Sequence, residues 1–174
     1  MSSVYLEQLT KDFVSLRARV VALETADRGA CKFLAYNSVP DANATGDGTA
    51  VTVGFDSEIF DLGGNYGAGA TFTAPTTDKY LLHANVWLDA VQADHTSGWI
   101  TLITSNRTYY GTVCNPAAVK QTASDYVSLQ VTALCDMDAT DTAYIQVMVD
   151  DGDKDVTVYG SASMITFFCG CRIP

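Results

Sequence analysis

Apolar residues recur in alternating steps of three and four over the first two dozen positions. Leu6, Leu9, Phe13, Leu16, Val20 and Leu23 fall at spacings of 3, 4, 3, 4 and 3. This is the a/d seam of a heptad, and such a seam on a free helix has to be covered by partner helices. A helix lying on its own domain usually carries a wider apolar stripe than a/d alone. With Leu6 at a, Asp12 and Arg19 occupy g positions, and Arg17 and Glu24 occupy e positions. In a parallel coil each g faces the following e of its neighbour, so Asp12 meets Arg17 and Arg19 meets Glu24, both attractive pairs.

The pairing predicts a parallel coil of three strands. Arg19-Val20-Val21-Ala22-Leu23-Glu24 resembles the short Arg-h-x-x-h-Glu signature of parallel trimeric coils, and Phe13 at an a position sits more easily in a three-stranded core. Roughly 22 residues at about 1.5 Å each span about 33 Å. Three heptads are marginal alone, so the coil is expected to need a trimerising head. Asp27-Arg28-Gly29 ends the pattern, with a charge where the next a residue would fall and a glycine suited to a left-handed C′ position. The predicted division is a coiled-coil stalk over 1–28 and a head over 29–174, joined without a flexible tether.

Beyond Gly29 the period changes. Short β-rich runs alternate with Gly, Asp, Asn and Thr clusters. Strands are predicted over 32–37, 50–55, 70–73, 79–88, 98–105, 108–113, 126–135, 142–149, 155–159 and 163–173. About ten strands in about 140 residues suggest a two-sheet sandwich or jelly roll. Asp150-Asp151-Gly152-Asp153, between two alternating runs, reads as a hairpin tip.

Composition narrows the function. The 174 residues carry 10 Lys and Arg against 20 Asp and Glu, a net charge of −10, and a trimer would carry three times that. Nothing in such a chain would neutralise phosphates, which argues against nucleic acid as a partner and equally against an anionic membrane. The chain opens on a natural-looking Met with no basic n-region and no apolar h-region, so it reads as complete and unsecreted, with no membrane span. Five cysteines without a signal imply reduced thiols made in a cytosol. Cys169 and Cys171 share one strand face with Phe167 and Ile173, a face that reads as core. The sequons Asn43-Ala44-Thr45 and Asn106-Arg107-Thr108 carry no meaning without secretion.

Catalytic patterns are missing: there is no Gly-x-Ser-x-Gly, no His-Glu-x-x-His and no phosphate-binding glycine loop. Of the two histidines, His83 falls in a strand, where a structural role is expected, and His95 falls in the polar run Gln92–Gly98, where an exposed surface position is expected. Asp151, Asp153 and Asp155 stand at alternate positions, as in a calcium loop. An EF-hand would then require glycine and glutamate where the chain has Val156 and Ala162, so that reading fails.

The order of the head's motifs resembles that of the C1q/tumour-necrosis-factor-like family. Phe33-Leu34-Ala35-Tyr36 resembles the family's opening strand, and Val53-Gly54-Phe55-Asp56 its second apolar element. Asn65-Tyr66 followed by Gly69-Ala70-Thr71-Phe72-Thr73-Ala74-Pro75 is similar to the family's "Y…G.F..P" run. Lys79-Tyr80-Leu81-Leu82-His83-Ala84-Asn85-Val86 continues it, with Asp78 in place of the usual glycine. Phe168-Cys169-Gly170-Cys171-Arg172-Ile173 resembles the closing "F-S-G-F-L-I" strand, with cysteines for its serine and second phenylalanine. The resemblance runs over residues 33 to 173. It implies an all-β, ten-stranded jelly roll that forms a tight bell-shaped homotrimer with both termini at its base. It also leaves open a loop calcium site built from Asp151, Asp153 or Asp136, with no other cofactor. The chain departs from complement-type members in having neither a collagen repeat nor a secretion signal.

The expectation is therefore a non-enzymatic homotrimeric structural protein of a virus particle, a bacteriophage capsid decoration (cement) protein or head fibre. It would be assembled in the host cytoplasm, sit on the virion surface and dock on the major capsid protein or another virion protein. The alternative is an adhesin or tail-fibre tip whose loops bind a host receptor or glycan, in which case Trp99, Tyr109 or Tyr110 on exposed loops would favour carbohydrate.

Overall fold

The computed structural model describes residues 3–28, 31–67, 69–119 and 126–173. The chain divides into two compact units, Met1–Ala30 and Cys31–Pro174. The first is one helix, α1 (Ser3–Arg28), of 26 residues. Of its 26 residues 14 are Leu, Glu, Gln, Lys, Arg or Ala and none is proline, so propensity and the heptad period agree.

The second unit is built from thirteen strands among the described residues. Seven form one sheet: β1 (Lys32–Tyr36), β2 (Asp41–Thr45), β4 (Ser57–Leu62), β7 (Asp78–Asp89), β10 (Val127–Met137), β12 (Val156–Val158) and β13 (Phe167–Ile173). Six form the other: β3 (Val51–Thr52), β5 (Tyr66–Gly67), β6 (Thr71–Thr73), β8 (Ser97–Thr104), β9 (Thr108–Cys114) and β11 (Thr142–Asp150). A short helix, α2 (Pro116–Val119), follows β9. Every pairing is antiparallel.

The long strand β7 organises the first sheet. One edge pairs with β10 from Asp78 to Leu88; the other pairs with β13 over Lys79–Asn85 and with β12 over Leu88–Asp89. From β13 the sheet continues through β1 to β4. In the second sheet β11 is central, with β8 and then β9 on one side and β6 and β3 at its other edge.

Each expected run contains a strand, but the count is thirteen, not ten. The additional ones are β2, β4 and β5. β2 reads Asp-Ala-Asn-Ala-Thr and is exposed over its first three residues, so it carries little apolar signal. β4 is largely exposed and has a bulge against β1, so its alternation is broken. Asp150–Asp153 is not a hairpin tip. β11 lies in one sheet, and β12 pairs with β2 and β7 in the other, so this acidic turn carries the chain between sheets.

The core lies between the sheets. Strict alternation makes every second residue of β10, from Val127 to Met137, buried and its neighbours exposed. At one end of the core four aromatic rings from separated segments meet. Phe33 stacks on Tyr66 and on Phe72 at 5.1 Å each, and receives Phe168 edge-on at 4.9 Å. Phe33 and Phe168 belong to one sheet, Tyr66 and Phe72 to the other, so the cluster joins the two layers. Replacing Phe33 with Ala is expected to destabilise the fold by about 3–5 kcal/mol, read as a lowered midpoint in a urea titration, because it opens a cavity at this junction.

Candidate assembly surfaces

The residues of the predicted coil lie on α1 with their apolar side chains in the open. Leu6, Leu9, Phe13, Leu16 and Val20 are 51%, 57%, 67%, 58% and 45% exposed. Of the expected charge partners, Asp12 accepts a hydrogen bond from Gln8 within the helix, and Arg17 and Arg19 are exposed. The side chains of Leu23 and Glu24, and Gly29, lie outside the described residues.

A second apolar surface covers the outward face of the seven-stranded sheet. Alternation in β13 turns Phe168 fully inward, which places Phe167, Cys169, Cys171 and Ile173 on the outside. The two thiols are therefore not core, contrary to the sequence expectation: the strand's buried parity belongs to Phe168. Register carries the face sideways. Leu34 pairs with Cys169 and with Phe60, His83 with Cys169, Leu81 with Cys171 and with Leu134. Phe60, Leu62, Leu81 and Leu134 are 42%, 47%, 40% and 59% exposed. A groove of about 430 Å³ lies among Leu34, Phe60, Met164, Phe167 and Cys169. Isolated exposed leucines are ordinary, but a run across five neighbouring strands is the mark of an interaction surface.

His83 sits within this face, half-buried, with Nδ1 2.7 Å from Thr132 Oγ1 and its ring 5.4 Å from Phe167. His95 overturns its expectation: it is fully buried. The N–H of Gln92 donates to Nδ1 at 2.8 Å, which leaves Nε2 to carry the proton and donate to the Asp153 carbonyl at 3.0 Å. Asp155 Oδ1 lies 3.4 Å from Nε2. Gly152 lies against the ring, where a Cβ would come within 2.5 Å of it. The polar composition of Gln92–Gly98 pointed to solvent, but its hydrogen bonds are spent on tying two loops around the imidazole. Substituting Leu for His95 orphans the Gln92 amide and the Asp153 carbonyl, with an expected loss of about 1–3 kcal/mol by denaturant titration.

The three candidate calcium carboxylates do not converge. Asp136 pairs with Lys79 at the start of β7. Asp151 and Asp153 lie in the turn before β12, which pairs at Leu88–Asp89, roughly 30 Å farther along β7. Asp151 accepts the Thr96 hydroxyl, and Asp155 the side-chain amide of Gln92. Among the described residues no group of three or more His, Cys, Asp or Glu side chains is placed to hold a metal ion.

All five cysteines are free thiols. Burial pushes Cys31 and Cys135 up to about 11, with the Asp61 charge adding to the effect at Cys31. At pH 8 these two are expected to stay unmodified by a charged thiol reagent until the protein is unfolded, checked by mass mapping of the labelled peptides. Trp99, Tyr109 and Tyr110 stand on β8 and β9 rather than on loops. Trp99 and Tyr109 are half-buried, while Tyr110 is 68% exposed and meets Trp99 edge-on at 6.1 Å.

This sandwich is the C1q/TNF-like fold. The globular domain of zebrafish complement 1qA superposes with a TM-score of 0.56 at 12% identity, covering 83% of this chain and 98% of that one. Murine APRIL gives a TM-score of 0.55 at 12% identity, covering 83% and 99%. No family model matches the sequence, and no curated protein matches it. The resemblance drawn from the motifs of residues 33 to 173 thus corresponds to a shared architecture, at an identity that speaks for the fold alone.

Proposed function

We propose that this chain is a non-enzymatic homotrimer, in which α1 forms a parallel three-stranded coil and the outward face of the seven-stranded sheet forms the contact between heads. The supporting observation is the pair of unpartnered apolar surfaces: the heptad stripe from Leu6 to Val20, and the face running from Phe60 and Leu34 through Phe167 to Leu81 and Leu134. Each exposes a contiguous run of apolar side chains of the kind that marks an interaction surface. Trimerisation covers both, and the g/e pairs Asp12–Arg17 and Arg19–Glu24 set the coil parallel.

In its setting the trimer is a structural component of a virus particle, a bacteriophage capsid decoration (cement) protein or head fibre that docks on the major capsid protein. Its strong negative charge, its coil directly preceding the head in sequence and its lack of a catalytic pattern support that reading. The alternative, a receptor- or glycan-binding tip, draws on the exposed Tyr110 beside Trp99, an aromatic pair on which a sugar ring can stack.

Sedimentation at micromolar concentration is expected to give three times the monomer mass, with dissociation in Leu16→Asp and in the double variant Phe60→Asp/Leu81→Asp. A monomeric wild type would overturn the trimer. Labelling intact virions with an antibody to the chain is expected to decorate capsids. Bare capsids, with binding on a glycan array that Tyr110→Ala abolishes, would instead establish the tip reading.

A further inference from the structure

A groove of about 500 Å³ opens on the side of the six-stranded sheet, between the segment Thr52–Asp56 and the wall formed by Tyr66, Gly67, Gly69 and Ala70. Its first wall is strand-like backbone, one edge of which makes no backbone hydrogen bond to another described residue. Val51 and Thr52 pair with β11, and the Val53 amide donates to the Ile145 carbonyl at 3.0 Å. Alternation then turns the backbone groups of Thr52 and Gly54 to the opposite edge, and both residues line the groove. The facing strand, β5, is the edge of its sheet.

Two glycines of this groove, Gly54 and Gly67, are not explained by the chain's own folding. Gly54 and Gly67 have no left-handed φ, and a Cβ built on either meets no atom within 4 Å. Elsewhere glycine has an internal reason: a Cβ on Gly111 would fall 2.2 Å from the Gln130 carbonyl, and one on Gly160 2.4 Å from Val39. A glycine with neither requirement, as at Gly67 in β5 or Gly54 just past β3, is one of the devices that let another backbone approach closely. Gly69, on the same wall, has an open Cβ direction but a φ of +82°, which is its own reason for being glycine.

Charge defines what approaches. Asp56 and Glu58 line the groove, both are exposed, and among the described residues no lysine or arginine lines it. Asp56 is held in place by the Ser38 amide and hydroxyl at 2.7 and 2.8 Å. These bonds outweigh its partial desolvation and keep the carboxyl below the usual range. Below them the Tyr66 hydroxyl donates to the Phe55 carbonyl, closing the floor.

We propose that this groove binds an extended polypeptide segment of a partner protein, which adds along the free Thr52–Gly54 edge, passes over Gly54 and Gly67, and places a lysine or arginine against Asp56 and Glu58. This is strand addition, with main-chain hydrogen bonds for affinity and the carboxylates for selection. Of the lining residues only Glu58 stands on a strand of the proposed trimer contact, β4, two residues from Phe60; the others lie outside that sheet.

The test uses the full-length protein against an arrayed library of hexapeptides whose central residue is Lys, Arg, Ala or Asp. Lys- and Arg-centred peptides rich in β-branched residues are expected to be retained. Their affinity, by calorimetry, is expected to fall at least tenfold in Gly67→Val and Gly54→Val. Glu58→Lys should shift selection to Asp-centred peptides and serves as the second variant if a glycine variant fails to fold. Wild-type far-UV circular dichroism and melting in the glycine variants confirm that the fold is intact. Retention without preference for the central charge, equal binding to the glycine variants, or no retained peptide would each overturn the proposal. Retention only of sequences from this chain would overturn it in favour of a second copy.

Discussion

The contact on which the described sandwich depends is the Phe33 cluster. A two-sheet fold exists only while its inner faces stay dry, and Phe33 holds them together at the point where the head's first strand enters. It stacks on Tyr66 and Phe72 of one sheet and takes Phe168 of its own sheet edge-on. Phe168 in turn meets Phe55 at 5.7 Å, and Phe72 meets Tyr80 at 5.4 Å. Six rings contributed by segments more than a hundred residues apart thus form one connected cluster. Such contacts carry large loop-closure entropy and are made only when the whole topology is in place.

That cluster also sets which way the closing strand faces. With Phe168 inward, its odd-numbered neighbours point outward, and two cysteines and a phenylalanine become part of a surface. The same parity runs through Leu34 and Phe60 on one side and Leu81 and Leu134 on the other. An internal packing decision is thereby written onto the exterior as an apolar face, the surface on which the proposed self-association rests.

Two regions depart from that logic of packing. At the loop around His95 a polar sequence is buried, because the imidazole uses both nitrogens to join the Gln92 turn to the acidic crossover between β11 and β12. In the groove beside β5 the opposite holds: glycines lie exposed where the fold asks for none. The first feature strengthens the chain's own architecture. The second leaves an opening for another chain.

Much of this was legible in the residues alone. Heptad spacing from Leu6 to Leu23 marks a helix, and alternation from Val127 to Met137 marks a strand, because both periods are local properties of backbone geometry. The spaced motifs at Phe33, Tyr66, Phe72 and Phe168 pointed to the shared fold, and these are the residues that meet in the core. What periodicity could not reveal was which parity of a strand faces inward, whether a polar run closes on itself, or which carboxylates come together. The structure turned Cys169 and Cys171 outward, buried His95, separated Asp136 from Asp151 and Asp153, and opened the groove at Gly54 and Gly67. Each outcome depends on partners distant in sequence, and only the assembled sheets bring those partners into contact.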